Sequence, residues 1–437
     1  MKDNFENISI EQIGSKNEIK NFYPFTTKDD RFDKQYSFDE IIGLFISFIS
    51  SKKIQQLQFE EFKKKCIDTF SQYIDDNEAI DLLEELYFKD NAINIDSLLV
   101  KQTITPQNRS KKVFEIFREF IYNKEISVNF ESNSNFLEQI ILEQLKKEFK
   151  ADNIKISNTS YLPFLEEFFT KDLEFLNTNK HYFSKNLESF LELYLFIYCS
   201  QLALNLQPVE NALSVPCSQE LYFILNNETA SNERKKVSEF GYKRLYDKAK
   251  YIFPYMSLLS IFSKVLQNDN LKLYELEDIF NNDDIELMKN FHIKFRETKK
   301  LPLENGLIQE NNIREILINI FDSSFEQFKD GNKVDRKNAL DKYLKAFEKQ
   351  VASPFIINRG RAGKVLVMDQ DRLILLTNIA IGDKKKVRFQ ELLNEFNGRG
   401  IYFDIKSQVE LINVYEKVGN IERKSDSGDA VYVKTTI

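Results

Sequence analysis

Apolar residues recur three and four positions apart along most of this chain, the spacing that buries one face of a helix. Val113, Phe114, Phe117, Phe120 and Ile121 share such a face, and so do Phe136, Leu137, Ile140, Ile141, Leu145 and Phe149. The pattern predicts a helical domain over residues 37–207, after a polar, loosely ordered segment at 1–36. It breaks at Gln102–Ser110, which contains Pro106, and again at Asp152–Ser160. Asn158, Thr159 and Ser160 offer cap oxygens to a helix with Pro163 in its first turn. The texture changes at Pro208–Arg234: Glu220–Leu225 reads as a strand and Asn226–Thr229 as a turn. Helical spacing resumes at Val237 and runs to about Phe347, interrupted by a loop at Thr298–Asn312, with Ile313, Ile316, Leu317, Ile320 and Phe321 on one face. Residues 208–352 therefore read as a helical middle domain with a small β insertion.

The last region, 353–437, reads differently. Pro354 ends the preceding helix, Asn358–Lys364 is a basic loop, and Val365–Met368 is a strand. Asp369, Gln370 and Asp371 can cap a buried helix over Arg372–Ile381. A short β segment at Val387–Phe389 leads into a helix carrying Leu392, Leu393 and Phe396, ended by Gly398 and Gly400. Ser407 with Glu410 three residues on has the pattern of a capping box for the next helix. That helix carries Val409, Ile412, Tyr415 and Val418 on one face and closes at Gly419-Asn420. Ser425–Asp429 turns between two strands, Ile421–Lys424 and Ala430–Thr435. Helix, helix and hairpin in this order predict a winged helix. The expected fold is mainly α: a multi-helical body with a small β insertion and a C-terminal winged-helix domain.

Composition sharpens this picture only in part. Gly (12) and Pro (8) are scarce among 437 residues, which favours long helices over sandwiches or barrels. The net charge of −7 is uneven. Residues 353–437 hold 14 Lys/Arg against 11 Asp/Glu, and the remainder holds 47 against 57. A weakly basic tail on an acidic body fits a module that faces nucleic acid on a body that faces protein, although scattered surface charge gives the same totals. Cys66, Cys199 and Cys217 are far apart and odd in number, which argues against a disulfide framework. Residues Met1–Gly14 lack the apolar core of a signal peptide. The apolar runs Ile41–Ile49 and Phe190–Leu206 read as buried core helices, the first too short to span a bilayer and the second interrupted by Glu192, Ser200 and Gln201. A cytoplasmic protein without membrane partners is expected.

Chemistry-bearing patterns are sparse. His181 and His292 are the only histidines and no Cys-x-x-Cys is present, so a closed zinc site lacks its usual ligands. Gly360–Val365 superficially resembles a nucleotide-binding loop, but Asn358 stands where Gly is needed and Val365 where Ser or Thr would hold magnesium. No Gly-x-Ser-x-Gly elbow supports a nucleophile. Neither a cofactor nor a catalytic role is therefore expected. The candidate nucleic-acid contacts are Arg359, Arg361 and Lys364 in the basic loop, and Lys385, Lys386, Arg388, Lys406, Gln408, Asn413, Arg423 and Lys424 in the winged region, with Lys384 adjoining. Ser407, Gln408, Glu410, Asn413 and Lys417 are read as the outward residues of the second helix, and Asp426 and Asp429 at the wing tip would repel phosphate. These residues suit DNA contact and protein docking equally. Glu228 and Arg234 are read either as a pair presented at a surface or as parts of an ordinary β insertion.

Four segments carry a family resemblance: LYFILNNE (Leu221–Glu228), RGRAGKVLVMDQD (Arg359–Asp371), NEFNGRGIYFD (Asn394–Asp404) and KSDSGDAVYVK (Lys424–Lys434). Together they resemble DptG, a component of DNA phosphorothioation-dependent restriction in bacteria. They cover the C-terminal half alone, and none is a catalytic signature. The resemblance implies a non-catalytic subunit of an anti-phage defence complex, assembling with DptF-like and DptH-like subunits and reaching double-stranded DNA through the winged helix. Two other classes stay open: a winged-helix transcriptional regulator with a helical sensor domain, and a degenerate nuclease subunit.

Overall fold

The computed structural model describes residues 3–6, 8–14, 16–30, 35–54, 57–121, 134–152, 158–230, 233–302, 312–329, 334–424 and 430–437. The protein is mainly helical with small sheets. It divides into two compact units, one formed by 1–35, 157–169 and 192–436, the other by 36–156, 170–191 and 437.

The chain opens with two single-turn helices of the first unit, α1 (Asp3–Glu6) and α2 (Ile10–Ile13). The expectation of loose order is overturned here, because Phe5, Ile8, Ile13, Phe22, Tyr23 and Phe25 are all buried. Sparse aromatic residues outweigh the polar average of the segment.

The second unit then builds α3 (Phe38–Ile49), β1 (Lys52–Ile54), α4 (Phe59–Phe70), α5 (Asn77–Tyr87), α6 (Leu98–Lys101), α7 (Asn108–Phe120), α8 (Phe136–Glu148) and β2 (Phe149–Ala151). Ser37 caps α3, and Asp39 and Glu40 in its first turn suit the positive end of the helix dipole. Gly43 lets α3 lie directly on the backbone of Lys101; a Cβ there would sit 2.2 Å from that carbonyl oxygen. Phe62, Cys66 and Phe70 of α4, Tyr87 at the end of α5 with Phe88 next to it, and Ile140, Ile141 and Leu145 of α8 make one apolar core. β1 and β2 pair antiparallel, Ile54 opposite Phe149. Two longer helices, α9 (Pro163–Thr178) and α10 (Lys180–Asn205), contribute residues to both units. By length and composition α10 suffices to cross a membrane, and 83% of its apolar window is buried.

The first unit continues through α11 (Val209–Ala212), β3 (Tyr222–Leu225), α12 (Lys235–Phe240), α13 (Tyr242–Ala249), α14 (Ile252–Leu266), α15 (Leu276–Ile279), α16 (Ile285–Lys299), α17 (Ile313–Glu326) and α18 (Val334–Phe347). α14 is buried on nearly every side. Its Phe262 and the Phe280 and Phe291 rings surround Phe5 of the opening segment. Buried Lys299 closes α16 and holds the same segment, donating to Gly14 O at 3.0 Å, Lys16 O at 3.2 Å and Asn17 Oδ1 at 2.9 Å.

The chain ends with β4 (Ile356–Asn358), β5 (Lys364–Met368), α19 (Gln370–Ile381), β6 (Lys386–Arg388), α20 (Phe389–Gly398), β7 (Tyr402–Phe403), α21 (Ile405–Val418), β8 (Ile421–Lys424) and β9 (Ala430–Lys434). A four-stranded sheet runs β4-β5-β3-β7, with β3 parallel to both β5 and β7 and β4 antiparallel to β5. All four residues of β3 are buried, as expected for a parallel strand covered on both faces. The segment that reads as a small β insertion is thus an inner strand of a sheet completed from 353–437. A separate three-stranded antiparallel sheet has the order β6-β9-β8.

Candidate nucleic-acid interface

The C-terminal elements are positioned by caps and by close approaches at glycines. Asp369 caps α19 by accepting from Arg372 N at 2.8 Å, and the Arg372 guanidinium pairs with Asp369 and with Glu192. α20 buries Leu392, Leu393 and Phe396, as its spacing predicts. Gly400, at φ +82°, turns the chain beneath Gln201; a Cβ would lie 2.0 Å from that amide nitrogen. Gly419, at φ +80°, terminates α21. Asn378 of α19 exchanges two hydrogen bonds with Thr436, 2.8 and 2.9 Å long, and Thr377 meets Tyr415 OH at 2.7 Å.

The start of α21 differs from the sequence expectation. Its cap is Asp404, which accepts from Ser407 N at 3.0 Å; Ser407 and Glu410 do not form a capping box. β7 delivers extended backbone up to Asp404, so the helix begins three residues earlier and a carboxylate takes the place of a hydroxyl. The buried face is Ser407, Leu411 and Tyr415. Ser407 therefore points inward, whereas Val409 is 56% exposed and Ile405 79%.

Ser407 joins a buried network that also corrects the surface reading of Glu228 and Arg234. Arg234 donates Nε to Asp404 Oδ2 at 2.9 Å and Nη2 to Asp404 Oδ1. Its Nη1 donates to Glu228 Oε2 at 2.6 Å, and Nη2 donates to Ser407 Oγ at 2.7 Å. The Ser407 hydroxyl lies 2.8 and 3.0 Å from the two Glu228 oxygens and donates to that carboxylate. Burial pushes the Asp404 carboxyl up, but the Arg234 and Ser407 hydrogen bonds outweigh it and hold the group below its ordinary value. Glu228 also accepts from Leu225 N at 2.7 Å. The network pins α21 to the turn after β3, with Asn227 and Glu410 bonded beside it.

The basic candidates fall into three groups. Lys386 and Arg388 lie two apart on β6, opposite Lys434 and Tyr432 of β9, so their side chains share one face of the three-stranded sheet. Val387 and Val433 occupy the other face and are buried. On the shared face Lys386 and Lys434 flank Glu422 at 2.6 and 3.0 Å, and Arg388 donates to Tyr432 OH at 3.4 Å. The hydrogen bonds from Lys386 and Lys434 hold the Glu422 carboxyl down at about 2. Lys384 and Lys385 are exposed just before this strand. Lys434 and Tyr432 are absent from the sequence-based set, although period-two spacing across paired strands signals them.

Three members of the second group are spent on neighbours. Gln408 donates to Phe403 O at 2.8 Å, Asn413 to Glu410 at 2.9 Å, and Arg423 pairs with Glu416. Lys406 is exposed on the first turn of α21. The side chain of Lys424 and the turn Ser425–Asp429, including Asp426 and Asp429, lie outside the described residues.

The third group is the loop 358–364, which is the turn of the β4–β5 hairpin, closed by Arg359 N donating to Gly363 O at 2.8 Å. Arg359 donates to Asn226 O, Lys364 pairs with Glu348, and Arg361 is exposed. Loop and sheet face are thus distinct basic features.

Among the described residues no group of three or more His, Cys, Asp or Glu is arranged to hold a metal ion. His292 is buried, its Nε2 2.7 Å from Ser323 Oγ. Compared with protein-family models and with curated proteins, the chain matches none.

Proposed function

We propose that residues 353–437 carry a winged helix and that the chain is a non-catalytic subunit of a DNA-directed complex. The observation that carries the reading is the run α19, β6, α20, α21, β8, β9 closed by a sheet of order β6-β9-β8, with Lys386, Arg388 and Lys434 on its outer face. Lys384 and Lys385 are exposed immediately before β6. Phosphates meet the sheet face, while α21 contributes little base reading because Gln408 and Asn413 are already bonded and Ile405 and Val409 are apolar. The DptG resemblance supplies the narrower proposal: a subunit of phosphorothioation-dependent restriction, assembling with DptF-like and DptH-like partners.

The test is duplex DNA binding across a salt series, comparing the native chain with a Lys384→Ala, Lys385→Ala, Arg388→Ala variant. These side chains are exposed and are not ion-paired among the described residues, so the variant should keep its fold. Each phosphate contact removed should flatten the slope of log K against log salt by about 0.9. Matched phosphorothioate and plain duplexes then test discrimination. An unchanged slope rejects the sheet face. A second reading, docking through α21, is favoured by exposed Ile405 and Val409; loss of partner assembly in an Ile405→Ser, Val409→Ser variant with intact DNA binding would establish it. Palindrome-specific binding by a dimer would favour a transcriptional regulator instead.

A further inference from the structure

The second unit carries a surface that none of this uses. Helix α5 turns Ile80 and Tyr87 into the core, yet Leu82 and Leu86, one turn apart, are 68% and 60% exposed. Tyr73, just before the helix, is 62% exposed and packs edge-on against Phe136, itself 55% exposed, with ring centres 5.1 Å apart. Asn135 donates to Tyr87 OH at 3.3 Å, which sets the start of α8 beside α5. A single exposed leucine is ordinary; two exposed leucines one turn apart, with an exposed aromatic pair on the adjoining elements, present apolar area of the kind that marks an interaction site.

The charge around the patch is one-sided. Residues 75–90 contain Asp75, Asp76, Glu78, Asp81, Glu84, Glu85 and Asp90 against Lys89 alone. Among the described residues only Glu84 of these seven acids is ion-paired, with Lys63 at 3.0 Å. Asp81 and Glu85 are four apart on the helix, where like charges repel. Glu84 and Glu85 also sit near its C-terminal end, where the dipole disfavours anions. Lys63 relieves this cost at Glu84, and a cation from a partner would relieve it at Asp81 and Glu85. A nucleic acid or an anionic membrane is repelled, and a second copy docking face to face would set acid on acid.

We infer that α5, with Tyr73 and Phe136, is a docking surface for a basic amphipathic helix of a partner protein. Apolar residues at helical spacing cover Leu82, Leu86 and the aromatic pair, and flanking Lys or Arg meet Asp81 and Glu85. The probe is a fluorescein-labelled 18-residue peptide with leucines on one face and lysines on its flanks, titrated by anisotropy with the full chain. Binding should weaken about tenfold or more in Leu82→Ser, Leu86→Ser and in Asp81→Lys, Glu85→Lys, as for loss of central interface residues, and fall with rising salt. All four positions lie on the helix surface, and circular dichroism verifies that both variants stay folded. Two results overturn the inference: no binding of the peptide, or equal binding to native chain and both variants. Ultracentrifugation supplies a third, a dimer abolished by Leu82→Ser, Leu86→Ser, which would make the occupant a second copy.

Discussion

Two buried arginines in the first unit invite comparison. Arg234 is enclosed by two carboxylates, Glu228 and Asp404, with Ser407 between them. Among the described residues Arg296 pairs with Glu326 at 2.8 Å and donates to Ser323 Oγ at 2.7 Å and to the Pro302 carbonyl. Both side chains are 3% exposed, but Glu326 retains 23% exposure where Glu228 retains 8%. The first cluster carries excess negative charge and needs its cation. The second places its cation beside His292, where burial first and the Arg296 charge second disfavour protonation of the imidazole. Similar guanidinium burial therefore creates dependence on different partners.

Removing Arg234 should break the comparison most strongly. Arg234→Met leaves two carboxylates buried without a counter-charge, and about 3–5 kcal/mol should be lost. Hydrogen exchange of the α21 and β3 amides reads this locally, and unchanged protection would refute it.

Acid should separate the clusters next. Burial, aided by Arg296, pushes the His292 imidazole down to about 4. Its folded value thus lies below its unfolded one, so the unfolded chain takes up the proton first. Stability should fall as pH drops from about 6.5 to 4, by up to about 3 kcal/mol. The Arg234 cluster, whose Asp404 is depressed, should hold through that window and lose stability only as pH falls below the ordinary Asp range. His292→Gln should flatten the slope between pH 6.5 and 4 in denaturant titrations; an unaltered slope would assign it to other groups.

Arg296→Met should cost less than Arg234→Met, about 2–3 kcal/mol, because Glu326 can return to water. Equal losses would mean that the deeper burial of the carboxylates around Arg234 does not matter. Ser407→Ala should cost about 1 kcal/mol, since Arg234 keeps both carboxylates. A larger loss would make the hydroxyl the keystone of the cluster.

Much of the architecture was legible because it rests on local rules. Asp369 before an apolar run marks α19, Gly419 marks the end of α21, and the strands of 421–424 and 430–434 follow from alternation. The core of the second unit was legible in the spacing of α7 and α8. What failed was non-local. Ser407 looks like a cap until β7, paired to a strand 180 residues earlier, fixes where extended backbone ends. Glu228 and Arg234 look like surface residues until Asp404 arrives from the far end of the chain. Nothing near residues 1–30 announces that Lys299 will gather three of their oxygen atoms. The basic face was half legible: β6 shows its own lysine and arginine, but Lys434 joins them only through pairing.

The place of β3 has a consequence for how the protein is made. It pairs with β5 and β7, which follow it by about 140 and 180 residues. At roughly 5–20 residues per second, a ribosome has emitted β3 for about 7–28 seconds before its first neighbour exists. During that interval a wholly apolar strand has both edges open. Nascent chains stopped before Phe403 leave it incompletely paired, so premature termination should yield insoluble fragments, and holdase chaperones should be found on ribosomes translating the stretch between β3 and β7.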